Sequence, residues 1–258
     1  MSSLELYIER DLPLATIVFN RPHARNAVTQ AMWRAMPELL AQLAADAGVR
    51  VVIVRGVDHA AFAAGADIAE FESVYGTAES AAASSAVIDA ALAALEALPK
   101  PTIAMIRGVC VGGGVSIATA CDLRMADVNA RFAVTPAKLG LIYSLADTRR
   151  LAATVGVSCA KDLLFSGRMM DAQAALSAGL IDRMEPLEAL AEAVRSYALS
   201  VASLAPGSHA ATKQIMRMLV NGDPDDSADA RQAFLQRFDS ADFHEGYAAF
   251  LQKRAARF

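Results

Sequence analysis

The 258-residue chain is poor in cysteine, with only Cys110, Cys121 and Cys159 and no C-x-x-C spacing among them. An odd, dispersed set excludes a disulfide framework and a zinc knuckle and fits a reducing compartment, so a cytoplasmic location is expected. Histidine is equally sparse: His23, His59, His209 and His244 stand apart without metal-ligand spacing, so no metal site is expected and each reads as a surface residue. Charge of either sign is modest, with a net of −4, and nothing recommends a polyanion such as nucleic acid as partner. Long apolar runs are missing as well. The most apolar window, Ile103 to Ala120, is broken by Arg107 and by glycines, and the amino-terminal MSSLELYIERD lacks the basic-then-apolar order of a signal peptide. Neither a membrane partner nor a targeting segment is therefore expected. Walker-type and G-x-G-x-x-G loops are absent, which removes nucleotide phosphate binding of the usual kinds.

What the chain does have is alternation. Leu4 to Ile8 and Ala15 to Phe19 read as paired strands around the Asp11-Leu12-Pro13 turn, and Val51 to Val54 and Thr102 to Ile106 are short β-rich runs, each followed by helix. Thr29 is a suitable N-cap for a helix to about Ala45, and Ser80 to Leu98 is an Ala/Leu-rich helix stopped by Pro99. The alternation predicts an α/β layer fold over residues 1–185. From Pro186 on, strands vanish. Leu187 to Ala205, Gly207 to Val220 and Asp226 to Arg254 read as helices, the last two separated by the polar turn NGDPDD, and form a helical region, 186–258, whose apolar faces need a partner. No fixed-period repeat is visible.

Two clusters of small residues carry the chemistry. HAAFAAGADIAEF, residues 59–71, places Gly65 among alanines where main chain can approach a ligand closely. RGVCVGGGVSIATACDLRMA, residues 107–126, follows a strand with glycines and then an apolar helix, so unpaired N–H groups sit at the helix's positive end, where developing negative charge is stabilised. Glycines serving only tight helix packing would give the same pattern.

Taken in order and spacing, AFAAGADIAEF, GVCVGGGVSIATACDLRMA, RFAVTPAKLGL and AKDLLFSGRMMDAQAALSAGLIDRM resemble the crotonase superfamily, the enoyl-CoA hydratase/isomerase family, over nearly the whole chain from RPHARNAV at 21–28 to the terminal FLQKRAARF. The resemblance implies a spiral of ββα units with a helical C-terminal trimerisation region, hence a homotrimer or dimer of trimers. It implies an acyl-coenzyme A thioester as ligand, with no cofactor beyond the coenzyme A moiety of the substrate. By the same resemblance, the N–H groups of Ala66 and Gly113 form an oxyanion hole for the thioester carbonyl, with Gly112 beside them. Backbone from Ala64 through Asp67 to Ile68 cradles the adenine end, and Arg25 and Lys253 meet phosphates. The Asp67 side chain itself reads as a turn carboxylate. Two preorganised backbone donors stabilise a thioester enolate without a side chain, each worth ~10²- to 10³-fold in rate in comparable sites.

The sequence departs from the family's hydratases, which use two glutamates. Ser116 and Pro136 stand in those places, and neither can act as a carboxylate base. Two-glutamate hydration of an enoyl-CoA is therefore not expected. Tyr143, in TPAKLGLIYSLADTRRL, and DSADFHEGYAAFLQKR near the C-terminus resemble the methylmalonyl-CoA decarboxylase branch, which carries His where this chain has Ala66. Decarboxylation needs an enolate sink but no base to start it, so loss of CO₂ from a malonyl-type thioester leads the specific reactions for this acyl-CoA lyase. The rivals are an enoyl-CoA hydratase with a non-standard base, for which Asp147 is the nearest carboxylate, and a non-catalytic acyl-CoA-binding subunit. Packing for Tyr143, and a cap or ion pair for Asp147, are the structural roles that compete with catalysis.

Overall fold

A computed structural model describes residues 4–224 and 227–258. The first three residues, with that part of the targeting argument, and the expected helix start at Asp226 lie outside the described residues. The strands are β1 (Leu6–Asp11), β2 (Leu14–Phe19), β3 (Val51–Gly56), β4 (Ala61–Ala63), β5 (Thr102–Ile106), β6 (Val109–Val111), β7 (Leu123–Asp127), β8 (Arg131–Ala133), β9 (Met170–Asp171) and β10 (Arg183–Glu185). The helices are α1 (Gln30–Ala45), α2 (Phe71–Tyr75), α3 (Ala78–Ala97), α4 (Gly113–Ala120), α5 (Leu145–Ser166), α6 (Ala172–Ser177), α7 (Leu187–Ala202), α8 (Pro206–Asn221), α9 (Ala228–Leu235) and α10 (Ala241–Leu251).

Two sheets lie side by side in the chain path. A six-stranded sheet runs β1-β2-β3-β5-β7-β10 and a four-stranded sheet β4-β6-β8-β9. The chain steps from the first sheet to the second within a few residues three times, from β3 to β4, β5 to β6 and β7 to β8, and after each step enters helix. This is a spiral of ββα turns within an α/β fold. No sequence period betrays it because the helical part differs at each turn, from the single short α4 to the α2–α3 pair.

Strand alternation places the core on both faces of the larger sheet. Val52, Val54, Ala104 and Ile106 turn inward to a main core that includes Trp33, Met36 and Leu40 of α1 and Leu92 and Leu95 of α3. Val51, Ile53, Ile103 and Met105 face the other way, against Leu190, Val194, Ala198 and Ala202 of α7. The boundary expected at Pro186 thus falls within one packed unit, since α7 covers the outer face of the sheet. The expected helix 226–254 is two helices, broken before Ser240, whose hydroxyl accepts from Phe243 N at 3.2 Å to cap α10. Thr29 caps α1 as its sequence indicates, accepting from Met32 N at 3.2 Å. Helix α3 starts a little earlier than expected, at Ala78, with Thr77 and Ser80 forming a capping box. It is long and apolar enough by composition to cross a bilayer, yet it packs along α1, where Gln30 Nε2 donates to Ser84 Oγ at 2.6 Å. All three thiols are free, and burial pushes the Cys110 thiol far up and that of Cys121 up to about 12, which makes both inert.

Leu190 is fully buried between α7 and the sheet. Leu190→Ala is expected to lower unfolding stability by about 2–5 kcal/mol, the usual range for a buried Leu truncation, as read by urea denaturation.

Candidate active site

The segment after β4 meets the first turn of α4, and the contact is made by backbone. Gly114 packs so closely on β4 that a Cβ there would collide with the Ala63 carbonyl oxygen. This seats Gly65–Ala66 against Gly112–Gly113: a Cβ on Gly113 would lie 3.7 Å from Ala66 N. The 64–67 stretch is fixed from its other side by a parallel bridge, in which Val28 N donates to Gly65 O at 2.8 Å and Asp67 N donates to Val28 O at 3.2 Å. Because successive peptide groups alternate along extended chain, the Ala66 N–H turns away from Val28. Asn26, fully buried, holds the bridging segment by donating to Ala61 O at 2.8 Å.

The Gly112–Gly113 peptide is fixed as firmly. Gly112 N donates to Ala133 O at 2.9 Å, and Gly112 O accepts from Val115 N at 2.9 Å, from Ser116 N at 3.2 Å and from the Tyr143 hydroxyl at 2.7 Å. In a trans peptide C=O and N–H point in opposite directions, so the donors gathered on Gly112 O aim the Gly113 N–H the other way. Among the described residues neither the Gly113 N–H nor the Ala66 N–H has a backbone acceptor. The two form a ready pair of donors.

Both belong to the wall of a cavity of about 280 Å³ that is mainly apolar, with Trp33, Ile68, Phe71, Ile88, Leu139 and Ile142 among its lining. Of the residues singled out in the sequence, Ala64, Ala66, Ile68, Gly112, Gly113, Ser116, Pro136 and Tyr143 line this cavity, and Asp147 with them. Asp67 does not: its carboxylate is held by Arg21 Nη2 at 2.8 Å and accepts from Ala69 N at 3.0 Å, and that backbone bond and the guanidinium hold it below the usual carboxylate range. Arg25 is exposed beside the cavity segment, its carbonyl accepting from Ala64 N at 3.0 Å. Lys253 lies on the turn after α10 and is not part of the cavity wall. His59 is exposed and outside the wall. His209 is half-buried rather than superficial, and burial pulls its pKa down. Among the described residues no group of His, Cys, Asp or Glu is arranged for a metal ion.

Two features escape a linear reading. Asp89 of α3 lines the cavity together with Ser85 and Ile88, which share its helical face. Its only mark in sequence is that it is an acid in the middle of an Ala-rich helix. The Tyr143 hydroxyl, expected either to pack or to touch substrate, donates to the peptide that carries Gly113 N. Burial pushes its pKa far up, with the Ser116 hydroxyl opposing, so it stays a neutral donor. Asp147 does not cap α5, which Ser144 does by accepting from Asp147 N at 3.1 Å. It pairs with Arg150 at 3.2 Å and is buried, and burial pushes its carboxyl up despite that guanidinium.

The family model described as enoyl-CoA hydratase/isomerase matches residues 9–258. The sequence is 33% identical over 259 residues, 98% of each chain, to a 2,3-dehydroadipyl-CoA hydratase from Escherichia coli. It is 32% identical over 248 residues, 96% of this chain and 94% of the other, to a short-chain-enoyl-CoA hydratase from Clostridium acetobutylicum. A crystal structure of a protein assigned to the enoyl-CoA hydratase/isomerase family, from Hyphomonas neptunium, superposes with a TM-score of 0.96 at 48% identity, covering 99% of this chain and 98% of that one.

Tyr143→Phe removes one of the bonds that aim the Gly113 N–H and leaves the ring. Expected outcomes are a small loss of stability, about 0.5–1.5 kcal/mol for one hydrogen bond, and a fall in kcat of about tenfold with ligand affinity unchanged. Thermal melting and steady-state kinetics check them.

Proposed function

The chain belongs to the enoyl-CoA hydratase/isomerase family of the crotonase superfamily and acts on acyl-CoA, and from that premise we propose that the Ala66 and Gly113 N–H groups receive the thioester oxygen and stabilise an enolate. The observation that carries this reading is the pairing of two unengaged backbone donors in the wall of one apolar cavity. Such donors act where charge develops and need no reorganisation during the reaction. The backbone of 64–68 and the exposed Arg25 beside it are placed to meet the coenzyme A portion; Lys253 is a weaker candidate for that role.

For the reaction itself, the cavity wall favours proton transfer on an uncharged enoyl group over loss of CO₂. It holds two carboxylates, Asp89 and Asp147, and neither Lys nor Arg is among its lining residues. A malonyl-type carboxylate would enter a low-dielectric site facing like charge. Tyr143, the residue that supports the decarboxylase reading, has its proton engaged on Gly112 O. Hydration or isomerisation of an enoyl-CoA is the better fit, in line with relatives named hydratases.

A panel of crotonyl-, longer enoyl-, malonyl- and methylmalonyl-CoA followed by mass spectrometry tests this. Turnover is expected with an enoyl-CoA and not with the malonyl thioesters. Gly113→Pro should abolish turnover while folding persists, since proline is accommodated at the first position of a helix, and it replaces the N–H by a ring carbon that faces the cavity. Decarboxylation without hydration would restore loss of CO₂ as the leading reaction. Acyl-CoA binding without turnover of any member would favour a binding subunit.

The chain is further proposed to assemble as a trimer or dimer of trimers. Phe234, Phe238, Phe243 and Tyr247 form a continuous aromatic ladder across α9 and α10, with successive ring centroids 5.3, 5.7 and 6.2 Å apart. These rings are all exposed, as are Leu235, Phe250 and Leu251. So large an apolar face calls for other copies of the chain. Light scattering should give the mass of three or six chains, and a stable monomer would reject the assembly.

A further inference from the structure

Beyond the oxyanion donors, the cavity wall brings together two carboxylates from elements far apart in sequence. Asp147 comes from the first turn of α5 and is 7% exposed, with Oδ1 accepting from Arg150 Nη1 at 3.2 Å. Arg150 is itself anchored by Glu96 Oε2, through Nε at 3.2 Å and Nη2 at 3.1 Å, so the ion pair is held from α3. Asp89 comes from the same α3, seven residues before Glu96. Its Oδ1 is buried without a hydrogen-bond partner among the described residues, a costly state for a carboxylate unless something polar enters the cavity. Trp33, 1% exposed and lining the same cavity, has its Nε1 unpartnered too. The wall therefore presents an unsatisfied acceptor and an unsatisfied donor beside apolar side chains.

The two acids are not equivalent. Asp147 follows Tyr143 by four residues, the Tyr143 hydroxyl is bonded to Gly112 O at 2.7 Å, and both residues line the cavity with Ser116 and Gly113. Asp147 is thus tied to the oxyanion end of the cavity, where the thioester carbonyl and its neighbouring carbon would lie. Asp89 sits with Ser85 and Ile88 on the α3 face of the wall. The negative charge of Asp89 adds to the upward push that burial exerts on the Asp147 carboxyl.

We propose that Asp89 and Asp147 are the proton-transfer pair of this site, standing in from other helices for the carboxylates missing at Ser116 and Pro136. One carboxylate of the pair takes a proton from water as the water oxygen bonds to Cβ of an enoyl thioester. The Cα–Cβ π pair moves to Cα and onto the thioester oxygen held by the Ala66 and Gly113 N–H groups. The other member, protonated, then gives its proton to Cα as the C=O bond reforms. One member has gained a proton and the other has lost one, and transfer between them resets the pair with water added and no other reactant consumed. This assignment rests on the acyl-CoA reading above.

The test uses the full chain with crotonyl-CoA as the substrate and acetyl-CoA as the binding probe. Asp89→Asn and Asp147→Asn are each expected to lower kcat by at least about 100-fold, the usual range for general acid–base groups. The double variant should be no slower than the worse single one, as expected for residues acting as a unit, and the thermal shift given by acetyl-CoA should persist in all. Asp147 also anchors Arg150, so Asp89→Asn, which breaks no ion pair, decides the matter if the other variant fails to fold. Wild-type turnover in Asp89→Asn with binding intact would overturn the pair and leave the acyl-CoA reading standing. Absence of any acetyl-CoA shift in the unmodified chain would remove that reading, and the pair with it.

Discussion

The site depends on how closely the first turn of α4 approaches the end of β4. Only a residue without a side chain can occupy position 114, because any Cβ would strike the Ala63 carbonyl oxygen. With the two backbones in contact, the amides of Ala66 and Gly113 fall side by side. A methyl group at 114 would have to lift α4 off the strand, and the two N–H groups would part. The remaining polar contacts refine this arrangement: the bridge from Val28 turns the Ala66 peptide, and Tyr143, Val115 and Ser116 orient the Gly113 peptide through Gly112 O. Several donors on one carbonyl also polarise the peptide, which makes its N–H a stronger donor toward the cavity.

The charged groups around the cavity follow a different logic from the amides. A buried carboxylate is costly unless paired. Asp147 has Arg150, and Arg150 has Glu96 as well, so one cation serves two acids on two helices. Asp89 has no comparable partner in the wall. An apolar lining strengthens the coupling between the acids, since little water intervenes to screen it. The cavity thus combines fixed neutral donors with two acids, one of which, the buried Asp147, has its carboxyl pushed up.

Local signals in the sequence were sufficient for much of this. Thr29 and Pro99 bound helices by chemistry that acts within a turn, and Thr102 to Ile106 is a strand throughout because both of its faces are buried. The two small-residue clusters marked the segments whose backbones meet in the cavity wall, because close backbone approach demands such residues. Other features depend on distance through space. Asp89 and Asp147 are brought together only by folding, so an acid in an Ala-rich helix carries no mark of the cavity it faces. The role of Tyr143 depends on where Gly112 O lies, more than thirty positions away. The break between α9 and α10 has a local mark in Ser240, an N-cap residue that a single helix over 226–254 passes over, whereas the ββα spiral leaves no sequence period because its helical parts differ at each turn.

The contrast between donors and acids explains how chemistry can move while a scaffold stays. A backbone N–H does its work whatever side chain the residue bears, provided that the chain path is kept, so Ala66 and Gly113 need only be small enough to let the segments meet. A proton-transfer group, by contrast, is a side chain, and any helix that borders the cavity can supply one. With Ser116 and Pro136 in the cavity lining, the α4 and post-β8 walls supply no acid there, while the paired amides of Ala66 and Gly113 belong to the backbone and do not depend on those side chains. Carboxylates projecting from α3 and α5 reach the same space. Serine and proline at those two positions therefore argue against one placement of the acids, and not against acid–base chemistry in the cavity.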